Sequence, residues 1–363
     1  MISTITPYSG GVPQMTRFVA ECLKTQDYQP VLAYYEPYSM TPDLSVPSFK
    51  LLRTRIGTRS GKAWNEYESH AIGAWLPELE FTHYWPTRFW KALMQSCDYH
   101  ISVSGNCLAG LPFALADIPF LAWVASSWHG DRKDRVQSFP WPRKVLDRLI
   151  NANVLRNLEK KILFRGDVVA LSHYTREDLN ALSHSEVTQS VMPMPIDDVL
   201  FVPDQQRVIK GHIGFVARFN DPRKNIDLLL RAVAECRKTG LQITLELVGD
   251  DAPPPEVVGR FAGVDGCSDI HPLLKHEQLV RHLQTYDVFV VPSHQEGLCI
   301  SALEAMACGC PVISTRCGGP RTSSSTSRRG CWSISSPLSW PMPYHTLYVT
   351  AVLGPNWLWK LVN

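Results

Sequence analysis

An excess of charge of either sign is missing from this sequence. Its 36 lysines and arginines stand against 34 acidic residues, for a formal net charge of +2. A nucleic-acid partner calls for a strong basic excess or stripe, so none is expected. CxxC is absent, and the ten cysteines are scattered without a framework, which suits buried free thiols in a reducing compartment. HExxH is absent, and His271, His276 and His282 follow no recognised metal-ligand spacing, so neither a metal nor any other cofactor is expected. GxGxxG is also absent, which disfavours a dinucleotide dehydrogenase. The N-terminus has no basic stretch followed by an apolar run, so no signal peptide is read and a cytoplasmic location is expected. The most apolar long segment, residues 111–128, is broken by Pro112, Asp117 and Pro119 and reads as buried strands and turns, not a membrane span. Peripheral membrane contact stays open, because aromatic and basic residues cluster at 84–91 and 132–148. Ordinary solvated and half-buried helix faces account for both clusters equally well.

A chain of 363 residues exceeds a typical single core, and two domains are expected. The most informative stretch is 290–320, VVPSHQEGLCISALEAMACGCPVISTRCGGP. An apolar strand leads through a polar turn into an amphipathic helix starting near Leu298; Gly309 ends that helix, and a second strand follows. A helix N-terminus offers free N–H groups and a positive dipole end to an anion. Glu296 lies just before it, and Glu304 lies about six residues inside, roughly 9 Å along the axis. Carboxylates accept hydrogen bonds from sugar and ribose hydroxyls, so the arrangement suits a nucleotide sugar. A surface carboxylate and an ordinary helix glutamate would explain the pair without any ligand.

The first half alternates strands and helices, which predicts a parallel sheet covered on both faces. A short β-rich run precedes Gly10 and Gly11, then a helical pattern places Phe18, Val19, Cys22 and Leu23 on one side; a Gly-Gly loop lets backbone approach a phosphate or sugar closely. In such sheets ligands bind beyond the carboxyl ends of the strands. His129 and Asp131 follow the strand predicted at 120–125 and so lie near that rim, where a plain surface turn is the competing reading. Thr175 with Asp178 reads as a helix start. The proline-rich stretch MPMPIDDVLFVPD suits a domain connection. Beyond it, HIGFVARFNDPRKNIDLLLRAVAEC reads as strand, loop and a helix burying Ile226, Leu229, Leu230 and Val233. Arg218, Arg223 and Lys224 crowd its start against the helix dipole, which a bound anion would explain.

Three segments together give the chain its likeness: the SGGV loop, GFVARFNDPRKNIDLLLRA, and VVPSHQEGLCISALEAMACGCPVIS with Glu296 and Glu304 in E-x7-E spacing. Over residues 1–320 it resembles the retaining GT-B glycosyltransferases of family 4, the glycosyl transferases group 1. The resemblance implies an α/β fold of two Rossmann-like parallel-sheet domains facing a cleft. Residues 1–195 would be the acceptor-side domain, 196–206 a linker and 207–320 the nucleotide-sugar domain. Arg218 and Lys224 would neutralise the donor diphosphate, Glu296 would contact the transferred sugar and Glu304 the ribose. The loop of Gly10 and Gly11 would close over the phosphates, and the backbone of Gly297, Leu298, Cys299 and Ile300 would cap them. His129 matches a histidine near the sugar less distinctively. Cys299 stands where the family often has glycine, an added side chain that would narrow the pocket. The implied partners are a nucleotide sugar and a carbohydrate, lipid or small-molecule acceptor.

Residues 321–363 depart from that pattern, reading RTSSSTSRRGCWSI and onward where a glutamate and an apolar strand are expected. A gene segment encoding E-D-F-V-I-D as GAGGACTTCGTCATCGAC, read after one upstream base is lost, completes Pro320 and yields Arg-Thr-Ser-Ser-Ser-Thr, the residues at 321–326. The tail is therefore expected to be out of frame, in the gene or through an error in the read, and disordered, with the C-terminal domain incomplete; a divergent, disordered Ser-rich tail is the competing reading. Three functional readings follow: a metal-independent retaining glycosyltransferase, a non-catalytic remnant of one, and a nucleotide-binding module without turnover. Resequencing the DNA across codon 320 should reveal a family-like C-terminus in the alternative frame; a stop or an unrelated sequence there refutes the frameshift.

Overall fold

The computed structural model describes residues 1–8, 10–50, 55–132, 136, 140–188, 190–249, 270–272, 274–319, 331–332 and 351–352. The chain divides into two compact units, Met1–Pro193 and Met194–Asn363, each taken here by itself. The out-of-frame reading of 321–363 falls outside the described residues, save for a short antiparallel pairing of 331–332 with 351–352.

Unit 1 runs β1 (Ile2–Thr4), α1 (Gly11–Thr25), β2 (Val31–Tyr35), β3 (Thr58–Ala63), β4 (Tyr67–Ile72), α2 (Arg88–Gln95), β5 (Ile101–Ser104), α3 (Leu111–Ala116), β6 (Leu121–Val124), α4 (Trp128–Arg132), α5 (Trp141–Leu146), α6 (Ala152–Arg165), β7 (Asp167–Ala170), α7 (His173–Ser183) and β8 (Ser190–Val191). The sheet order is β3-β4-β2-β1-β5-β6-β7-β8. Its strands are parallel, as their apolar runs predict, with one exception: β3 pairs antiparallel with β4. Only Ala63 of β3 is buried, so that edge strand carries little apolar signal. The inner face of α1 also differs from the expected one. Pro13, Met15, Thr16 and Ala20 are buried, Phe18 and Val19 are partly covered, and Cys22 is exposed. Small residues bring α1 close to the sheet, where the hydroxyls of Thr16 and Thr4 lie 2.6 Å apart, while Phe18 rests against the Trp123 ring. At α7 the cap is Ser172, whose Oγ accepts from the Thr175 amide; the Thr175 hydroxyl instead donates to the Ala125 carbonyl.

Unit 2 runs β9 (Ile209–Val216), α8 (Ile226–Lys238), β10 (Thr244–Val248), β11 (Ile270–His271), α9 (His276–Leu283), β12 (Tyr286–Val291), α10 (Ile300–Ala307) and β13 (Val312–Ser314). These strands form a parallel sheet in the order β11-β10-β9-β12-β13. Helix α8 buries Ile226, Leu229, Leu230 and Val233, the face its spacing predicts, together with Cys236. Phe201, from the proline-rich stretch, packs into the core beside Leu279, Leu283 and Phe289. Strand order reverses between β9 and β12, so the crevice beyond their carboxyl ends is where a ligand fits this topology.

Close packing at this central pair depends on Gly214. Its register partners are Glu246 on β10 and Phe289 on β12, and a Cβ at this position would lie 2.1 Å from ring carbons of the fully buried Tyr286. The bare backbone therefore gives the ring its place over the sheet. Gly214→Ala should destabilise the protein by at least ~1–3 kcal/mol through overpacking, read from urea unfolding midpoints; an unchanged midpoint would show that the ring has another seat.

Candidate functional site

Two loops leave the carboxyl ends of β9 and β12, and polar contacts join them. In the first loop Asp221, itself buried, accepts from Arg218 Nη2 at 3.1 Å, Arg223 Nη2 at 2.6 Å and the Arg223 amide at 3.1 Å. That amide bond caps the short 3-10 turn Pro222–Lys224. The expected crowding of basic residues is thus answered partly from within the loop, since Arg223 is held by Asp221. Asn225 follows in the left-handed conformation at φ 50° and donates Nδ2–H to the Pro292 carbonyl in the second loop at 3.1 Å. In return the His294 amide donates to the Arg223 carbonyl at 2.7 Å.

Lys224 Nζ meets Glu296 Oε1 at 2.7 Å, and the Ser293 hydroxyl donates to the same oxygen at 2.6 Å. Glu296 Oε2 has no hydrogen-bond partner among the described residues. The Glu296 backbone is held on both sides, because its amide donates to the Cys317 carbonyl and its carbonyl accepts from the Gly319 amide. A Cβ on Gly319 would sit 2.4 Å from the Gly297 carbonyl oxygen, and Gly318 adopts φ 102°, so both glycines are required for this brace.

Helix α10 starts at Ile300, two residues later than expected, with Cys299 as its N-cap at φ 64°. A side chain in that left-handed conformation is strained by ~1–2 kcal/mol, which explains a preference for glycine there. The Cys299 thiol is buried with Ala302 and Cys317; burial and the nearby Glu296 raise its pKa, so it stays a neutral thiol. No side chain caps α10, and no acidic residue occupies its first turn. The Ala302 and Leu303 amides donate to the Cys299 carbonyl, whereas those of Ile300 and Ser301 have no hydrogen-bond partner among the described residues and remain available to an anion near Lys224.

Burial works against the Lys224 ammonium, but the Glu296 carboxylate outweighs it and holds the Lys224 pKa above its ordinary value. Glu304, in the second turn of α10, is 6% exposed, and its carboxyl has no hydrogen-bond or ion-pair partner among the described residues. Desolvation alone pushes its pKa up to about 7.

The loops thus bring Arg218, Lys224, Glu296, Gly297, Leu298, Cys299, Ile300 and Glu304 to one end of one sheet. Ser293, Asp221, Asn225 and the pair Gly318 and Gly319 shape the same place, and no motif singled them out. In unit 1, Gly10 caps α1 at φ 104° just after β1, and His129 lies exposed in α4, just past β6. Both stand at carboxyl ends of strands.

Residues 210–334 match the family model described as glycosyl transferases group 1. Over 227 residues the chain is 29% identical to the MMP alpha-(1->4)-mannosyltransferase of Mycolicibacterium hassiacum, a match covering 61% of this chain and 54% of that protein. The D-inositol 3-phosphate glycosyltransferase of Mycolicibacterium smegmatis is 34% identical over 124 residues, 33% of this chain and 27% of that protein. The chain spans about half the length of the first of these curated relatives. Among solved structures, sucrose-phosphate synthase from Thermosynechococcus elongatus superposes with a TM-score of 0.62 at 21% identity, covering 89% of this chain and 83% of that one. Anabaena HepE in complex with UDP-glucose gives 0.57 at 14%, covering 88% and 81%. These similarities establish the fold of the GT-B glycosyltransferases, an α/β fold with Rossmann-like parallel-sheet domains.

The buried Glu304 yields a prediction with a definite sign. Its native pKa of about 7 lies above the ordinary 4.5, so the folded state keeps a proton that the unfolded state has lost. Glu304 by itself should therefore lower stability by roughly 3 kcal/mol as pH rises from 4.5 to 7, a loss that buried His83, its pKa pushed down from 6.5 to about 4, offsets over much of that range. Glu159, raised to about 7 by its own burial, adds in the same direction as Glu304. The stability difference between Glu304→Gln and wild type should therefore change by roughly 3 kcal/mol between pH 4.5 and 7 in denaturant titrations; a difference that does not vary with pH would show that Glu304 is ionised in the folded protein.

Proposed function

We propose that the chain is a glycosyltransferase that moves a sugar from a nucleotide-diphosphate sugar to an acceptor hydroxyl, with retention at the anomeric carbon and without a metal. The observation that carries this reading is the pair of half-buried Lys224 and buried Glu296 beside an uncapped helix start, with one carboxylate oxygen left open. An ammonium has three donors. Lys224 gives one to Glu296 and keeps others for phosphate oxygens, while Arg218, nearly half exposed, reaches the same diphosphate. Two fixed cations and the first amides of α10 would stabilise the charge that develops as the diphosphate leaves, the task a metal performs elsewhere and commonly the largest catalytic contribution. Glu296 Oε2 would accept a hydroxyl of the transferred sugar, and Glu304 would accept from the ribose. Departure and attack on the same sugar face need no second carboxylate as nucleophile.

The relatives' names differ in acceptor, and HepE was crystallised with UDP-glucose, so the donor is read here as a nucleotide sugar and the acceptor as a carbohydrate, lipid or small-molecule hydroxyl. A cytoplasmic setting matches such a donor. The described residues contain no helix long and apolar enough to cross a membrane.

A second reading rests on residues 321–363. If they are out of frame, this chain is the remnant of such an enzyme and transfers nothing. Thermal shift with UDP, GDP and ADP, run on this chain and on a frame-restored one, separates the two: stabilisation of both supports the enzyme, whereas stabilisation of only the restored chain supports the remnant. In whichever chain turns over a donor, Lys224→Ala and Glu296→Ala should each cost at least ~100-fold in kcat/KM, about 3 kcal/mol of transition-state stabilisation. Near-wild-type rates in either variant refute the assignment, and binding without turnover leaves a nucleotide-binding module.

A further inference from the structure

Unit 2 holds a second polar cluster, which shares no residue with the Lys224–Glu296 site. Glu246 projects from the middle of β10 and is 5% exposed. A carboxylate inside a parallel sheet is costly unless other groups compensate it. Three histidines surround this one: His282 Nδ1 lies 2.6 Å and His271 Nε2 3.7 Å from Oε1, and His212 Nε2 lies 3.2 Å from Oε2. The Tyr286 hydroxyl donates to Oε1 at 3.0 Å. The cluster therefore sets the carboxylate oxygens facing imidazole nitrogens.

One oxygen of Glu246, one nitrogen of His271 and one of His282 all lie within 4.8 Å of one another. In a tetrahedral zinc site with bonds near 2.1 Å, ligand atoms stand about 3.4 Å apart, so small side-chain movements close these three onto an ion. We infer that Glu246, His271 and His282 form a divalent transition-metal site of the Zn²⁺ type, with water completing the coordination. Two nitrogens and one carboxylate oxygen suit zinc better than magnesium or calcium, which prefer all-oxygen shells. Tyr286 and His212 hold the carboxylate in place, the supporting role that outer-shell groups play around metals. His271 and His282 are each more than a quarter exposed, which gives an ion a way in. Such a site would pin β10, the short edge strand β11 and α9 to one another. It expects a metal where sequence spacing expected none, and it takes no part in the proposed sugar transfer.

The full chain, freed of metal with EDTA and dialysed, should take up one equivalent of Zn²⁺ by isothermal titration calorimetry and unfold at a higher temperature once loaded. Co²⁺ should produce visible d–d absorption. His271→Ala and His282→Ala should each weaken Zn²⁺ binding at least tenfold, whereas His276→Ala, exposed on the same helix, should leave it unchanged. Glu246→Gln preserves shape and the Tyr286 contact while removing the anionic ligand, and it should also lose the site. Substoichiometric uptake by the wild-type chain, or unaltered affinity in folded His271→Ala or His282→Ala protein, overturns the inference.

Discussion

A lysine ammonium that is taken out of water needs a counter-charge, and in this protein that requirement ties the loop after β9 to the loop after β12. Lys224 and Glu296 satisfy each other at 2.7 Å. Removing either one would leave an uncompensated charge in a poorly solvated place, a loss that commonly amounts to several kcal/mol. The contacts around the pair serve the same end. Asp221 shapes the loop that delivers Lys224, Asn225 and His294 tie the two loops backbone to side chain and backbone to backbone, and Ser293 fixes the rotation of the Glu296 carboxylate. The strand reversal between β9 and β12 provides the crevice, and the ion pair fixes what faces into it.

The pair is also unfinished in a chemical sense. One oxygen of Glu296, the remaining donors of Lys224, the half-exposed Arg218 and an uncapped helix start all point to a ligand that is anionic in one part and rich in hydroxyls in another. Glu304, buried without a partner among the described residues, fits the same picture. A structural carboxylate usually has a donor, and this one has none among the described residues, so desolvation raises its pKa.

The places of β9, β10 and β12 along the chain were legible because they are short apolar runs with turn residues between them, and the buried face of α8 was legible because four apolar residues recur at helical spacing. The hairpin partner β3 escaped because TRSGKA faces water nearly throughout. The inner face of α1 was misread because threonine and alanine, which pack closely but carry little hydrophobic signal, win over phenylalanine and leucine at that contact. Glu296, Glu304, Arg218 and Lys224 could be read from spacing and resemblance. Ser293 and Asp221 act through local geometry that no periodicity encodes. The cluster at Glu246 joins residues from two strands and a helix that are far apart in sequence, so only the folded sheet brings them together.

The brace that Cys317 and Gly319 lay against Glu296 orders events in time. The chain is synthesised from its N-terminus, so Glu296 exists before the residues that fix its backbone, and its loop takes its final form only when Gly319 has been added. Every contact described around Glu296 is then in place, before residues 321–363 are made.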